Sequence, residues 1–159
     1  MTEIVIHDNA LQLSTEQQKQ LLNLHYSFLN YQRAVLNASF PVPELRIQQL
    51  FAGNRIGIAL HNGQPVGYCV YRIIAGVLKI RTLFVLESHR RDGLMTELLN
   101  NIRQNSVFWQ ASLVVHKNCK AAVNFFSNRG YRSRPDGEWV QMSFYVTESS
   151  AESPAVATA

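Results

Sequence analysis

Apolar positions along the chain switch between a period of two and a helical period, and the switches mark its elements. Glu3–His7 alternates and predicts a first strand. Ser14 follows as an N-cap with Gln17 at the capping-box position, and Leu21, Leu22, His25, Phe28, Leu29 and Gln32 recur at helical spacing. Residues 14–32 therefore predict a helix. PVPELRIQQLFA predicts a second, short helix with Pro43 in its first turn. RIGIALHN and QPVGYCVYRII read as a hairpin turning at Asn62-Gly63, because both residues tolerate positive φ. Ile74-Ala75-Gly76 supplies the next turn, and VLKIRTLFVLE runs as a strand to about residue 87. After the loop SHRRD, Leu94, Leu98, Leu99 and Ile102 share one face of a helix over 93–106. FWQASLVV predicts a strand, NCKAAVNFFSNRG a helix stopped by Gly130, and YRSRPDGEWVQMSFYV a hairpin around Pro135-Asp136-Gly137.

The order β-α-α-β-β-β-α-β-α-β-β joins runs of antiparallel strands to one strand–helix–strand crossover. It predicts an α/β fold on a mixed, mostly antiparallel sheet flanked by helices. The 159 residues fit one domain, read as 1–147, with the small and polar residues 148–159 as a flexible tail. Apolar residues at 47% and charged residues at 16% suit a packed core and argue against a disordered chain. No apolar run reaches the ~18 residues of a membrane span. MTEIVIHDNA lacks the pattern of a signal peptide, so the expected location is the cytoplasm, with no membrane partner.

Two cysteines, Cys69 and Cys119, form no CxxC pair and match no zinc spacing, so no metal site is expected. Cys69 sits in the apolar run VGYCVY as a small core residue. Net charge is +4, and 11 of the 15 basic residues are arginine, which suits an anionic ligand. The basic residues are scattered, so nucleic acid is not demanded as a partner.

Chemistry concentrates in LFVLESHRRDGLMTELL, residues 83–99. A strand leads through a basic loop and Gly93 into an amphipathic helix, whose first N–H groups have no partner within the helix. Those donors and the helix dipole suit a pyrophosphate, and a glycine lets the backbone come close to one. The other phosphate loops, GxxxxGK[ST] and GxGxxG, are absent. On residues alone, an ordinary strand–helix connection is the commoner reading.

Val85-Leu86-Glu87-Ser88-His89-Arg90-Arg91-Asp92-Gly93-Leu94-Met95 resembles the acyl-CoA signature V-x-P-x-Y-R-G-x-G-I-G of the GCN5-related N-acetyltransferase family, with Arg90 and Gly93 on the Q/R-x-x-G pattern. A second block, Val114–Tyr131, resembles the family's strand followed by N-x-x-A and F-Y-x-x-x-G-F. The resemblance covers roughly residues 3–147 and implies the acyl-CoA N-acyltransferase fold, with the strands at 77–87 and 108–115 splayed apart. It implies a bulge near Phe84 and Val85 whose backbone pairs with pantetheine, and a pyrophosphate held by the amides of Arg91, Asp92, Gly93, Leu94 and Met95 beside Arg90. Asn118 and Phe126 would flank the thioester. Met95 departs from the family by replacing a small residue. Cys119, counted back from Gly130, takes the family's Asn position, and Asn118 fits it only with an insertion. Phe126 stands where many members carry a proton-donating tyrosine.

The implied reaction moves an acetyl group from acetyl-CoA directly to an amine of a small molecule or protein. A lysine-like amine, with a pKa of ~10.4, costs roughly 4–5 kcal/mol to deprotonate at pH 7. Many relatives carry an acidic base shortly before the bulge, where this chain has Lys79, Arg81 and Thr82. His116, at a strand end, is the candidate catalytic base, with Ser127 or water as proton source for the leaving thiolate. The backbone amide near Val85 would stabilise the oxyanion. Glu87 and His89 lie toward the pyrophosphate, and His7, His25 and His61 read as surface or packing residues. Arg81 points either to a carboxylate-bearing acceptor or to an outward salt bridge. Tyr26, Tyr31 and Arg33 line the acceptor pocket or merely pack. The missing tyrosine and acid also fit a second reading, a catalytically weak acyl-CoA-binding module with a regulatory role. Trp139 and Phe144 on the last hairpin offer a surface for a homodimer.

Overall fold

The computed structural model describes residues 2–9, 12–36 and 52–146. The short helix expected around Pro43 and the tail from residue 148 lie outside the described residues. Strands β1 (Thr2–His7), β2 (Arg55–His61), β3 (Gln64–Ile74), β4 (Val77–Val85), β5 (Gln110–His116), β6 (Arg132–Asp136) and β7 (Trp139–Tyr145) form one sheet in the order β1-β2-β3-β4-β5-β7-β6. All neighbours are antiparallel except β4 and β5, as the single crossover requires. The helices are α1 (Thr15–Leu36), α2 (Leu94–Gln104) and α3 (Lys120–Ser127), and a 3-10 helix covers Glu87–Asp92.

Local chemistry accounts for the boundaries. Ser14 and Gln17 close a reciprocal capping box: Gln17 N–H donates to Ser14 Oγ at 3.1 Å, and Ser14 N–H to Gln17 Oε1 at 3.0 Å. The helix it opens runs four residues beyond the predicted end at 32. Asn62 and Gly63 turn the β2–β3 hairpin with φ of 51° and 80°, the left-handed pair that matches strand twist.

β3 is buried on both faces along Val66–Tyr71, so it shows no alternation. Its Tyr68 and Val70 pack with Leu21, Leu24 and Phe84 under α1. Cys69 and Tyr71 pack on the opposite face with Leu98, Leu99 and Ile102 of α2 and Phe126 of α3. Cys69 is a core residue: complete burial pushes its thiol far above the usual range. The expected bulge near Phe84 and Val85 is displaced. Val70 pairs with Thr82 and Tyr71 with Ile80, so Arg81 is the extra residue, while Phe84 and Val85 pair regularly with Tyr68 and Gly67. The absence of a side chain at Gly67 leaves room for Val85, since a Cβ on Gly67 would meet Val85 Cγ2 at 2.9 Å.

His25, expected to pack or lie at the surface, is buried, with its Nδ1 2.6 Å from the Tyr68 hydroxyl. Burial holds the imidazole below its ordinary 6.5. The unfolded chain therefore takes up this proton at a higher pH than the fold does. Stability that depends on neutral His25 is complete above that value and drains away as pH falls below it. Denaturation midpoints from about pH 7.5 to pH 5 should fall for the wild type and fall less for His25→Gln. Parallel falls would show that His25 does not set the acid limit.

Candidate active site

β4 and β5 share only three residue pairs, Val77 with Gln110, Leu78 with Ala111 and Lys79 with Ser112. Beyond them each strand stays bound on its other edge, β4 to β3 as far as Val85 and β5 to β7 as far as His116. Sheet twist then carries the two strands apart. Bulges sharpen such a divergence, and Arg81 sits at its start. The gap holds a cleft of about 260 Å³.

Side-chain alternation divides the cleft into two walls. Leu83, Leu113, Val115, Phe125 and Phe126 belong to the cluster under α2 and α3, and Cys119 and Met95 join them at the cleft. Phe28 and Tyr31 of α1 with Phe84 form the other wall, continued by Arg81, His116 and Trp139.

Backbone polarity follows from the register. Leu86 N–H donates to Val66 O at 2.8 Å, and bonded pairs alternate along an antiparallel ladder. Phe84 therefore faces β3 with its N–H and C=O, whereas Leu83 and Val85 turn theirs into the gap. Arg90 fits this polarity: its Nε donates to Val85 O at 2.9 Å. Its guanidinium lies 4.5 Å from the Tyr31 ring centre and 5.4 Å from that of Phe84. Arg90 thus links the end of β4 to α1.

The row of amides expected from Arg91 to Met95 divides in two. Through Asp92 the chain is a 3-10 helix, beginning with His89 N–H on Leu86 O at 2.9 Å, so its amides turn inward. Arg91 and Asp92 lie on this turn, and the Arg91 side chain lies outside the described residues. Gly93 breaks the turn with φ 74°, and a Cβ there would meet no atom within 4 Å. The first α-helical bond is Glu97 N–H to Gly93 O at 3.0 Å, which leaves Leu94, Met95 and Thr96 as the amides of the helix start. Leu94 itself is buried with Val85, fixing the helix against β4. Arg129 contributes a link that the sequence did not suggest: it donates to Thr96 Oγ1 and to Phe125 O, tying α3 to the start of α2.

His116 lines the cleft with its ring edge-on to Trp139, centroids 5.3 Å apart. Its Nδ1 accepts the Asn118 N–H at 3.1 Å, and its Nε2 faces Glu138 Oε2 at 3.7 Å. The neutral ring then carries its proton on Nε2, and its one lone pair is engaged. As a base it would have to release Asn118 first.

Cys119, not Asn118, lines the cleft, so no insertion is needed. Asn118 is exposed and enters through its backbone alone. Burial raises the Cys119 thiol, which keeps it protonated at neutral pH. Phe126 is buried against Phe125 and Tyr131, and Ser127 is exposed, away from the cleft. Tyr31 lines the cleft, whereas Tyr26 and Arg33 do not. Trp139 belongs to the cleft wall, while Phe144 packs beneath Arg103 and beside Tyr131. Among the described residues no cluster of three His, Cys, Asp or Glu can hold a metal ion, and no helix is long and apolar enough to cross a membrane.

Comparison with solved structures finds the same fold repeatedly. The PaiA N-acetyltransferase of Thermoplasma acidophilum, crystallised with coenzyme A, superposes with a TM-score of 0.71 at 16% identity, covering 90% of this chain and 99% of its own. An acetyltransferase of Thermus thermophilus gives 0.70 at 17% identity, covering 89% and 96%. The ribosomal-protein-S18-alanine N-acetyltransferase of Escherichia coli gives 0.67 at 16% identity, covering 92% and 95%. No curated protein matches the sequence. The family model described as the acetyltransferase (GNAT) family matches residues 21–131, well over half of the chain. With its split β4–β5 pair and the glycine-led helix beside it, the chain belongs to the GNAT acetyltransferase family.

Proposed function

We propose that the protein transfers an acetyl group from acetyl-CoA to an amine by direct attack inside the β4–β5 cleft. The observation that carries this reading is the divergence of β4 from β5 after three pairs, which exposes the inward backbone groups of Leu83 and Val85. The residues present suit the donor. An extended pantetheine chain can pair with Leu83 as a further strand would, while Val85 O is already taken by Arg90. The amides of Leu94, Met95 and Thr96 meet the pyrophosphate with the positive end of the α2 dipole behind them. Phe125, Phe126 and Val115 give the arm an apolar wall.

In the transfer, the amine lone pair forms a bond to the thioester carbon and the carbon–sulfur bond breaks. Coenzyme A leaves with a free thiol, and the amine gives up one proton. Val85 N–H, directed into the gap, stabilises the negative charge that develops on the carbonyl oxygen. His116 shapes the acceptor wall, and the proton leaves through solvent.

Acetyl-CoA at about 100 times its dissociation constant should stabilise the fold by about 2.7 kcal/mol. For a chain of this size that is a rise of about 5–10 °C in Tm. Release of free thiol in the presence of an amine panel should follow. His116→Ala should raise the acceptor KM more than it lowers kcat. A fall in kcat of about a hundredfold or more, with loss of a pH limb, would restore His116 as the base.

One observation favours a second reading, an acyl-CoA-binding module with weak or no catalysis. Phe126 cannot protonate a leaving thiolate, and no other residue of α3 brings a hydroxyl to the cleft. Saturable binding without thiol release across the panel would select it.

A further inference from the structure

Two cations and no carboxylate line the cleft among the described residues: Arg81 and Arg90. Arg90 is committed to Val85 O and to the Tyr31 ring. Arg81 is not. Next to Ile80, which faces the α2 and α3 core, Arg81 lines the cleft from the opposite face, and among the described residues it has no hydrogen-bond or ion-pair partner. The outward salt bridge that would explain an arginine at this position is therefore missing from the described residues.

The same wall offers no free imidazole lone pair. The lone pair of His116 is held by the Asn118 amide, and Glu138, which faces His116 Nε2, is exposed and stands outside the cleft lining. An alkylamine enters such a site as an ammonium ion, against two arginines. It must then shed a proton at a cost of roughly 4–5 kcal/mol at pH 7. An aryl amine is neutral at that pH, because its lone pair is conjugated with the ring. Flat apolar surfaces are available to it from Phe28 and Trp139.

We infer that the acceptor is a small aryl amine carrying a carboxylate, with the carboxylate on Arg81 and the ring among these aromatic side chains. This deepens the acetyl-transfer reading above and rests on it. A guanidinium–carboxylate contact is charge-assisted and geometrically selective, and the uncharged nitrogen removes the need for a base.

Four acceptors separate the two requirements: meta-aminobenzoate, its amide, meta-(aminomethyl)benzoate and the amide of that compound. Thiol release at pH 7, with acetyl-CoA saturating, should give meta-aminobenzoate a kcat/KM at least about tenfold above each of the others, a difference of about 1.4 kcal/mol. Arg81→Gln should remove most of the preference for the acid over its amide, and Arg81→Lys should restore part of it. Thermal melts with acetyl-CoA would establish that both variants fold and bind the donor. Equal rates, faster acetylation of the aminomethyl compounds, or no turnover of any acceptor while acetyl-CoA binds would overturn the inference. A preference unchanged in Arg81→Gln would overturn it too. Failure of the wild type to bind acetyl-CoA at all would instead overturn the acetyl-transfer reading beneath it.

Discussion

Gly93→Asn should leave the fold nearly as stable as the wild type and weaken acetyl-CoA binding by at least about tenfold, and Gly93→Val should abolish measurable binding. Each charge-assisted hydrogen bond from a helix-start amide contributes about 1.5–3 kcal/mol, so displacing one is enough for a tenfold loss. Gly93 holds φ 74°, where only glycine is free of cost and asparagine is the best tolerated alternative. Space alone would admit a side chain, because a Cβ at this position meets nothing within 4 Å. That open volume lies where the proposed pyrophosphate would sit, so any added atoms compete with the ligand and not with the protein. Valine adds backbone strain, roughly 1–2 kcal/mol for an L-residue in the left-handed region and more when β-branched. Calorimetry with acetyl-CoA separates the two effects when read beside denaturation curves. If Gly93→Asn binds acetyl-CoA like the wild type, the diphosphate does not rest against the start of α2.

Where burial is one-sided, the pattern of residues was enough to find the element. Ser14 and Gln17 announced the start of α1, Asn62-Gly63 the first hairpin, and Leu94, Leu98, Leu99 and Ile102 the buried face of α2. Gly93 was legible as the turn from the strand end into α2, and the resemblance to a known family supplied the split between β4 and β5. What stayed hidden depended on register. A bulge leaves no mark in a run such as KIRTLFV, because the extra residue is known only from its partner strand, and so it was expected at Phe84 and Val85 and lies at Arg81. The setting of His116 was hidden for a similar reason. A strand-end histidine is visible in sequence, but the backbone amide two residues on that engages its lone pair is not. Counting back from Gly130 already favoured Cys119 over Asn118 for the family's Asn position, but only the start of α3 shows the cysteine at the cleft and the asparagine exposed.

Leu98→Ala should be the most destabilising single truncation on the α2 face, at about 3–5 kcal/mol. Leu98 is fully buried and lies over Gly57 of β2, where a Cβ would come 3.1 Å from Leu98 Cδ1 and 3.3 Å from Ile102 Cδ1. The helix can approach the sheet this closely only because β2 has no side chain there, so neighbouring groups cannot close in when the leucine is cut back. In a domain of this size the loss amounts to a fall of about 6–20 °C in Tm. The close approach also predicts a coupling. Gly57→Ala alone overpacks the contact and should cost about 1–3 kcal/mol. In the Leu98→Ala background the same methyl group enters the space left by the leucine, and its cost should shrink by at least about 1 kcal/mol or change sign. Denaturation of the four proteins in the cycle measures this directly. Strict additivity would mean that α2 does not rest on Gly57 through Leu98, and that the helix whose first turn faces the proposed pyrophosphate is held in place by other contacts.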